Sequence, residues 1–124
     1  MIDFSNARFI KLGEVDNSKG IELVGDLLIE AEQVMSSYKG ARDMVVFTNK
    51  RVIAVNIQGL TGKKVDYSSL PYSKLQAWSV ETAGTFDRDT ELEMYFSGLG
   101  KVRLEFNTRF DVQAFNRFLG SYVL

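Results

Sequence analysis

The stretch from Asp43 to Lys64, DMVVFTNKRVIAVNIQGLTGKK, limits what this chain can fold into more than any other. Met44 to Thr48 and Arg51 to Ile57 are rich in Val, Ile, Phe and Thr, the composition of strands. Only Asn49 and Lys50 separate them, which predicts a two-residue turn with positive φ at both central positions. That turn pairs Thr48 with Arg51. It then sets Val46 opposite Ile53 and Met44 opposite Val55 on one face. Phe47 opposite Val52 and Val45 opposite Ala54 fall on the other. Both faces are apolar, so the hairpin must be covered on both. One face suits a barrel interior, and the other needs a helix or a neighbouring subunit.

Upstream of the hairpin the pattern is weaker. In residues 1–20, Phe4, Phe9, Ile10 and Leu12 are read as a short helix or an arm, and Asp16-Asn17-Ser18 as a turn or helix cap. Ile21, Val24, Leu27 and Leu28 then recur at helical spacing, with Glu22, Asp26 and Glu30 mostly opposite. This predicts a helix over Lys19 to Ile29, which covers an open sheet face or docks a partner. Gln33 to Tyr38 reads as a strand closed by Lys39-Gly40-Ala41-Arg42.

Downstream, Gly59-Leu60-Thr61-Gly62 reads as a loop and Lys63 to Ser68 as a strand. Leu70-Pro71-Tyr72 breaks it, because Pro cannot donate to a ladder. Leu75 to Thr82, carrying Trp78 as a core or interface residue, is the next strand, and Ala83 to Thr90 a loop. ELEMYFS and KVRLEFN both alternate, so inward residues require a loop of odd length. Taking Gly98-Leu99-Gly100 as that loop pairs Phe96 with Val102, Met94 with Leu104 and Leu92 with Phe106. It also sets Glu93 opposite Glu105, with Arg103 on the diagonal. Finally, Thr108-Arg109-Phe110-Asp111 fits a capping box. Val112, Phe115, Leu119 and Tyr122 form a helical stripe that Phe110, Ala114 and Phe118 widen. The reading is one mainly β (α+β) domain over 1–124: an N-terminal helical arm (1–31), a bent sheet or partly open barrel (32–107) and a capping helix (108–124).

Composition excludes several function classes. The chain has no Cys and no His, which removes disulfides, the usual general base and the commonest zinc ligand. Fifteen basic residues against sixteen acidic ones give a net charge of −1, which does not favour nucleic acid in bulk. The N-terminal segment lacks the basic start and apolar run of a signal peptide, and no apolar stretch is long enough to span a membrane. A cytoplasmic, non-enzymatic protein without cofactor or metal is expected.

Several motifs, in order, resemble the bacterial pleckstrin-homology (PH) domain family. They are Phe47-Thr48-Asn49-Lys50-Arg51, Gln58-Gly59-Leu60-Thr61-Gly62-Lys63-Lys64, Leu70-Pro71-Tyr72 and Glu81-Thr82-Ala83-Gly84-Thr85-Phe86-Asp87. Glu91-Leu92 and Ser97-Gly98 continue the likeness, which covers residues 20–122. The resemblance implies a PH-like seven-stranded barrel with a C-terminal helix, usually in a symmetric oligomer, and no known enzyme activity. It carries over no binding residue.

The remaining chemistry candidates are sparse. Gly59-x-x-Gly62-Lys63-Lys64 is too short for a phosphate-binding P-loop and is followed by a strand. Its strand flanks also disagree with the GXXG loop of a KH domain, leaving a tight turn that needs two glycines. Lys39, Arg42, Lys50, Arg51, Lys63 and Lys64 lie near strand ends and form a candidate anion-binding set. Phosphoinositide-binding eukaryotic relatives use basic residues in the first loop and second strand, but here that strand, Met44 to Phe47, has none. Asp87, Asp89 and Glu91 alternate so that an extended segment puts them on one side, as a hard cation needs, yet without EF-hand spacing, and read as a solvated loop.

Two function classes follow. One is a self-associating interaction module, a homo-oligomer with room for an unidentified protein partner, whose candidate interface residues are Leu27, Val45 and Phe47 in segments 20–30 and 43–57. The other is a weak anion or lipid-headgroup binder at the membrane surface.

Overall fold

The computed structural model describes residues 2–82, 89–107 and 111–124. In chain order it contains β1 (Asn6–Val15), α1 (Asn17–Val24), β2 (Val34–Lys39), β3 (Asp43–Thr48), β4 (Arg51–Gln58) and β5 (Lys64–Pro71). Then come β6 (Leu75–Glu81), β7 (Thr90–Phe96), β8 (Gly100–Phe106) and α2 (Val112–Val123). Short 3₁₀ turns at Gly25–Leu27 and Tyr72–Lys74 join α1 to β2 and β5 to β6. The expected loop over Ala83–Thr90 and the capping role of Thr108 fall largely on residues outside those described.

The strands form one sheet in the order β5-β4-β3-β2-β1-β8-β7-β6. The described residues form eight strands rather than seven, because the N-terminal arm is itself a strand. β1 runs antiparallel to β2 and parallel to β8, so it joins the two halves of the sheet. Its register shifts between Phe9 and Leu12, where Lys11 has φ 55°. That bulge changes the phase of the strand, so Ala7, Phe9 and Leu12 are all buried while Ile10 is exposed. A period-two reading therefore misses β1.

The central hairpin has the expected register, with Met44 opposite Val55, Val45 opposite Ala54, Val46 opposite Ile53 and Phe47 opposite Val52. Its turn differs from the expectation. Among the described residues only Lys11 and Ala31 are non-glycine residues with positive φ, so Asn49 and Lys50 are not. Instead the Thr48 hydroxyl accepts the backbone N–H groups of Lys50 and Arg51, both at 3.0 Å.

The last hairpin is displaced by two residues from the expected pairing: Phe96 faces Gly100, Met94 faces Val102 and Leu92 faces Leu104. The turn is Ser97-Gly98-Leu99, with Gly98 at φ 76°. Gly100, at φ 152°, belongs to β8, where a Cβ would lie 2.6 Å from the Ser5 carbonyl oxygen. Glu93 thus stands directly opposite Arg103 and is paired with it, while Glu91 faces Glu105. Glu105 is engaged by Arg8 of β1.

Each face of the central hairpin has its own core. Val45, Phe47, Val52 and Ala54 face the barrel interior together with Leu92, Leu104, Phe106, Phe115 and Leu119. There the Phe47 and Phe115 rings meet edge to face at 5.3 Å, fixing α2 as the plug. Phe118 is only half-buried and packs at the margin of that core. The α2 cap is Asp111, whose carboxylate accepts the Ala114 N–H at 3.0 Å, one turn later than a cap at Thr108.

The second face, Met44, Val46, Ile53 and Val55, packs under Val24 of α1, with Leu23, Leu28 and Val34 at its margin. α1 is shorter than the predicted helix, ending at Val24 where the 3₁₀ turn begins. It approaches the sheet closely at Gly20, where a Cβ would lie 2.2 Å from Ser37 Oγ and 3.3 Å from Val46 Cγ2. Hence the second apolar face is covered within one chain.

Candidate functional site

The topology separates the six basic strand-end residues into two groups. The β2–β3 and β4–β5 connections lie at one end of the sheet, bringing Lys39 and Arg42 to the same end as Lys63 and Lys64. The β3–β4 turn, with Lys50 and Arg51, lies at the other end. β3 has six residues, a span of about 20 Å. The set expected from the sequence is therefore not one site.

Arg51 is committed to structure. Its Nε donates to Glu32 Oε2 at 2.9 Å and its Nη2 to Glu32 Oε1 at 3.0 Å. It also donates to Ser69 Oγ and the Leu27 carbonyl. Glu32 further accepts the Thr48 hydroxyl at 2.7 Å and the Ile29 N–H at 3.1 Å. Burial alone would raise the Glu32 pKa, but the bonds from Arg51, Thr48 and the Ile29 amide outweigh it and hold the carboxyl below its ordinary value. Asn49 completes the clamp, accepting the Gln33 N–H and donating to the Ala31 carbonyl, both at 2.9 Å. Tyr72 donates to the Thr48 carbonyl at 2.7 Å, and burial pushes its hydroxyl pKa up. Thr48, Asn49 and Arg51 of the FTNKR motif thus fasten the segment between α1 and β2 to the hairpin turn. Sequence reading missed Glu32, because its partner is 19 residues away and no local pattern links them.

At the opposite end lies a cleft of about 360 Å³ between α1 and the β2–β3 turn. Its apolar wall comprises Val15, Leu23, Met44, Val55 and Ile57. Lys39 and Arg42 from the turn, Lys19 and Glu22 from α1, and Asp43 supply its charges. Lys19 did not feature among the residues singled out from sequence; only the docking of α1 brings it here. Arg42 Nη2 donates to the Gly59 carbonyl at 2.6 Å, tying the turn to the β4–β5 loop. That loop turns on Gly59 and Gly62, at φ 79° and 68°, as the two-glycine reading required. Asp43 accepts a hydrogen bond from the Asn56 side chain. Among the described residues, Lys19, Lys39, Lys63 and Lys64 form no ion pair. Lys63 and Lys64 share this end of the sheet but do not line the cleft.

The candidate interface residues separate as well. Leu27 is 41% exposed. Val45 and Phe47 are both 0% exposed, with their side chains in the barrel interior. Neither can meet a second chain while the barrel is folded, which removes them from the interface. Trp78 is half-buried and donates from Nε1 to Asn116 Oδ1 at 3.0 Å, linking β6 to α2. Asp87, of the acidic alternation, lies outside the described residues. Among the described residues no helix is long and apolar enough to cross a membrane.

Comparison with known proteins agrees with this architecture. The chain is 48% identical over 77 residues to YjqA of Bacillus subtilis (strain 168), an uncharacterized protein, covering 62% of each chain. It is 37% identical over 78 residues to YozO of the same organism, covering 63% of this chain and 68% of that one. The match thus spans about three fifths of the length of YjqA. Among solved structures, it is similar to a DUF1696 family protein with a pleckstrin-homology domain from Shewanella loihica PV-4. The TM-score is 0.78 at 37% identity, covering 94% of this chain and 100% of that one. A pleckstrin homology domain from Shewanella amazonensis SB2B matches with a TM-score of 0.65 at 40% identity, covering 90% and 91%. A PH domain containing protein from Exiguobacterium sibiricum 255-15 shares the fold at 18% identity, with a TM-score of 0.65 over 91% of this chain and 62% of that one. The model of the bacterial PH domain matches residues 3–123, and the chain belongs to that family.

Proposed function

We propose that this PH domain is a non-enzymatic interaction module that associates with copies of itself through the α1 side of the sheet. The observation that carries this reading is the exposure of three large apolar side chains in one short segment: Ile21 at 51%, Leu27 at 41% and Ile29 at 61%. α1 covers the second hairpin face with one side and carries apolar groups on its outer side, together with the connection that follows. Apolar groups exposed close together in the chain favour burial against another chain, and most soluble oligomers are symmetric assemblies of identical chains. The lack of His and Cys leaves the chain without the usual means of activating a nucleophile, which supports binding over catalysis. Light scattering on the native chain and on Leu27→Glu tests the reading. The native protein should exceed the monomer mass and the variant should fall towards it.

A second reading, weak anion or lipid-headgroup binding at a membrane surface, draws support from Lys19, Lys39, Arg42, Lys63 and Lys64 at one end of the sheet. Its signature is retention on vesicles containing anionic lipid that salt reverses, because exposed charges are screened beyond about 8 Å at physiological ionic strength.

A further inference from the structure

We propose that the cleft between α1 and the β2–β3 turn binds a single-chain amphiphile with an anionic head, of the fatty carboxylate class. The volume, about 360 Å³, falls within the range of small-molecule sites. Its wall is the margin of the second core. Met44 and Val55 form the covered floor, and Val15, Leu23 and Ile57 are half-buried around unfilled space. An apolar body entering there extends a core that already exists.

The charges select the head. Lys19, Lys39 and Arg42 face two acids, Glu22 and Asp43. Asp43 already accepts the Asn56 amide. Arg42 uses one N–H on Gly59, while a guanidinium has five. Neither the Lys19 nor the Lys39 ammonium group is in an ion pair among the described residues, although Lys19 lies in the field of the Asp16 carboxylate. A carboxylate placed between them gains charge-assisted hydrogen bonds, whereas a cationic head meets an excess of like charge. Glu22 opposes the anion and sets a limit on its affinity.

The inference shares Lys19, Lys39 and Arg42 with the second reading above but needs no membrane, so the two fail separately. The test is titration of the full chain with decanoate below its micelle concentration, followed by calorimetry, with decanol and decylamine as neutral and cationic counterparts. Decanoate should bind more tightly than either. Lys39→Gln should weaken it about tenfold, the scale of one charge-assisted bond, and Glu22→Gln should strengthen it. Leu23→Trp, which fills the cleft from its half-buried rim, should abolish binding while its denaturation midpoint shows the chain folded. Failure of decanoate to bind, equal binding of decanol or decylamine, or an unchanged affinity in Lys39→Gln overturns the proposal. Retention on anionic vesicles without decanoate binding also overturns it, whereas decanoate binding without retention supports it and removes only the membrane reading.

Discussion

Arg51 holds Glu32 through two parallel hydrogen bonds, Nε to Oε2 at 2.9 Å and Nη2 to Oε1 at 3.0 Å. The Glu32 side chain is fully buried and that of Arg51 is 21% exposed. Truncating the two partners therefore has unequal consequences. Arg51→Ala leaves a buried carboxylate without its cation and should cost about 3–5 kcal/mol. Glu32→Gln leaves a cation that still reaches water and should cost less. Arg51→Lys should not rescue, because an ammonium cannot reproduce the two-pronged grip. Urea denaturation of the three variants checks this order.

The same pair makes stability depend on pH. The Glu32 pKa is held below its ordinary value of 4.5 in the folded chain. The unfolded chain thus takes up the proton first, and the stabilisation is complete above that ordinary value. It is lost as pH falls through the folded pKa. The urea midpoint should decline in acid below about pH 4.5, and Glu32→Gln should show a shallower decline. Equal slopes in the two proteins would assign the acid sensitivity to other carboxylates, such as Glu93, whose hydrogen bond from Arg103 also lowers its pKa.

Gly20 sets how closely α1 lies on the sheet. Gly20→Ala gains up to about 1 kcal/mol of helix propensity. Against this, the new methyl would stand 2.2 Å from Ser37 Oγ in a site where Ser37 is fully buried. Overpacking of this kind costs about 1–3 kcal/mol, so net destabilisation is expected. Adding Ser37→Ala should recover part of the loss, as thermal denaturation of the single and double variants will show.

Phe115 is the plug of the barrel, meeting Phe47 at 5.3 Å and Phe106 at 6.4 Å. Phe115→Ala should cost about 3–5 kcal/mol, the range for aromatic truncation in cores. An unchanged denaturation midpoint would mean that α2 does not seal the barrel.

What the sequence revealed follows from the range of the interactions involved. The β3–β4 register was legible because a two-residue turn and apolar residues on both faces leave one pairing. β1 was hidden because the bulge at Lys11 breaks its alternation and its partners, β2 and β8, are distant in the chain. The β7–β8 register slipped because Gly100 looks like a turn residue. Its glycine is needed instead for the close approach of the Ser5 backbone. The site was less legible than the fold. Nothing local separates Arg51, held by Glu32, from Lys39, which forms no ion pair among the described residues. Val45 and Phe47 look exposed only if the two apolar faces of the hairpin are considered without α1 and α2.

The most direct test of self-association is the mass of the native chain in solution, by light scattering at tens of micromolar. A monomer weighs 14.0 kDa. Self-association gives a whole-number multiple of that mass, reduced by Leu27→Glu with the fold intact. A native protein at the monomer mass, or a folded Leu27→Glu variant with an unchanged multiple, would contradict it.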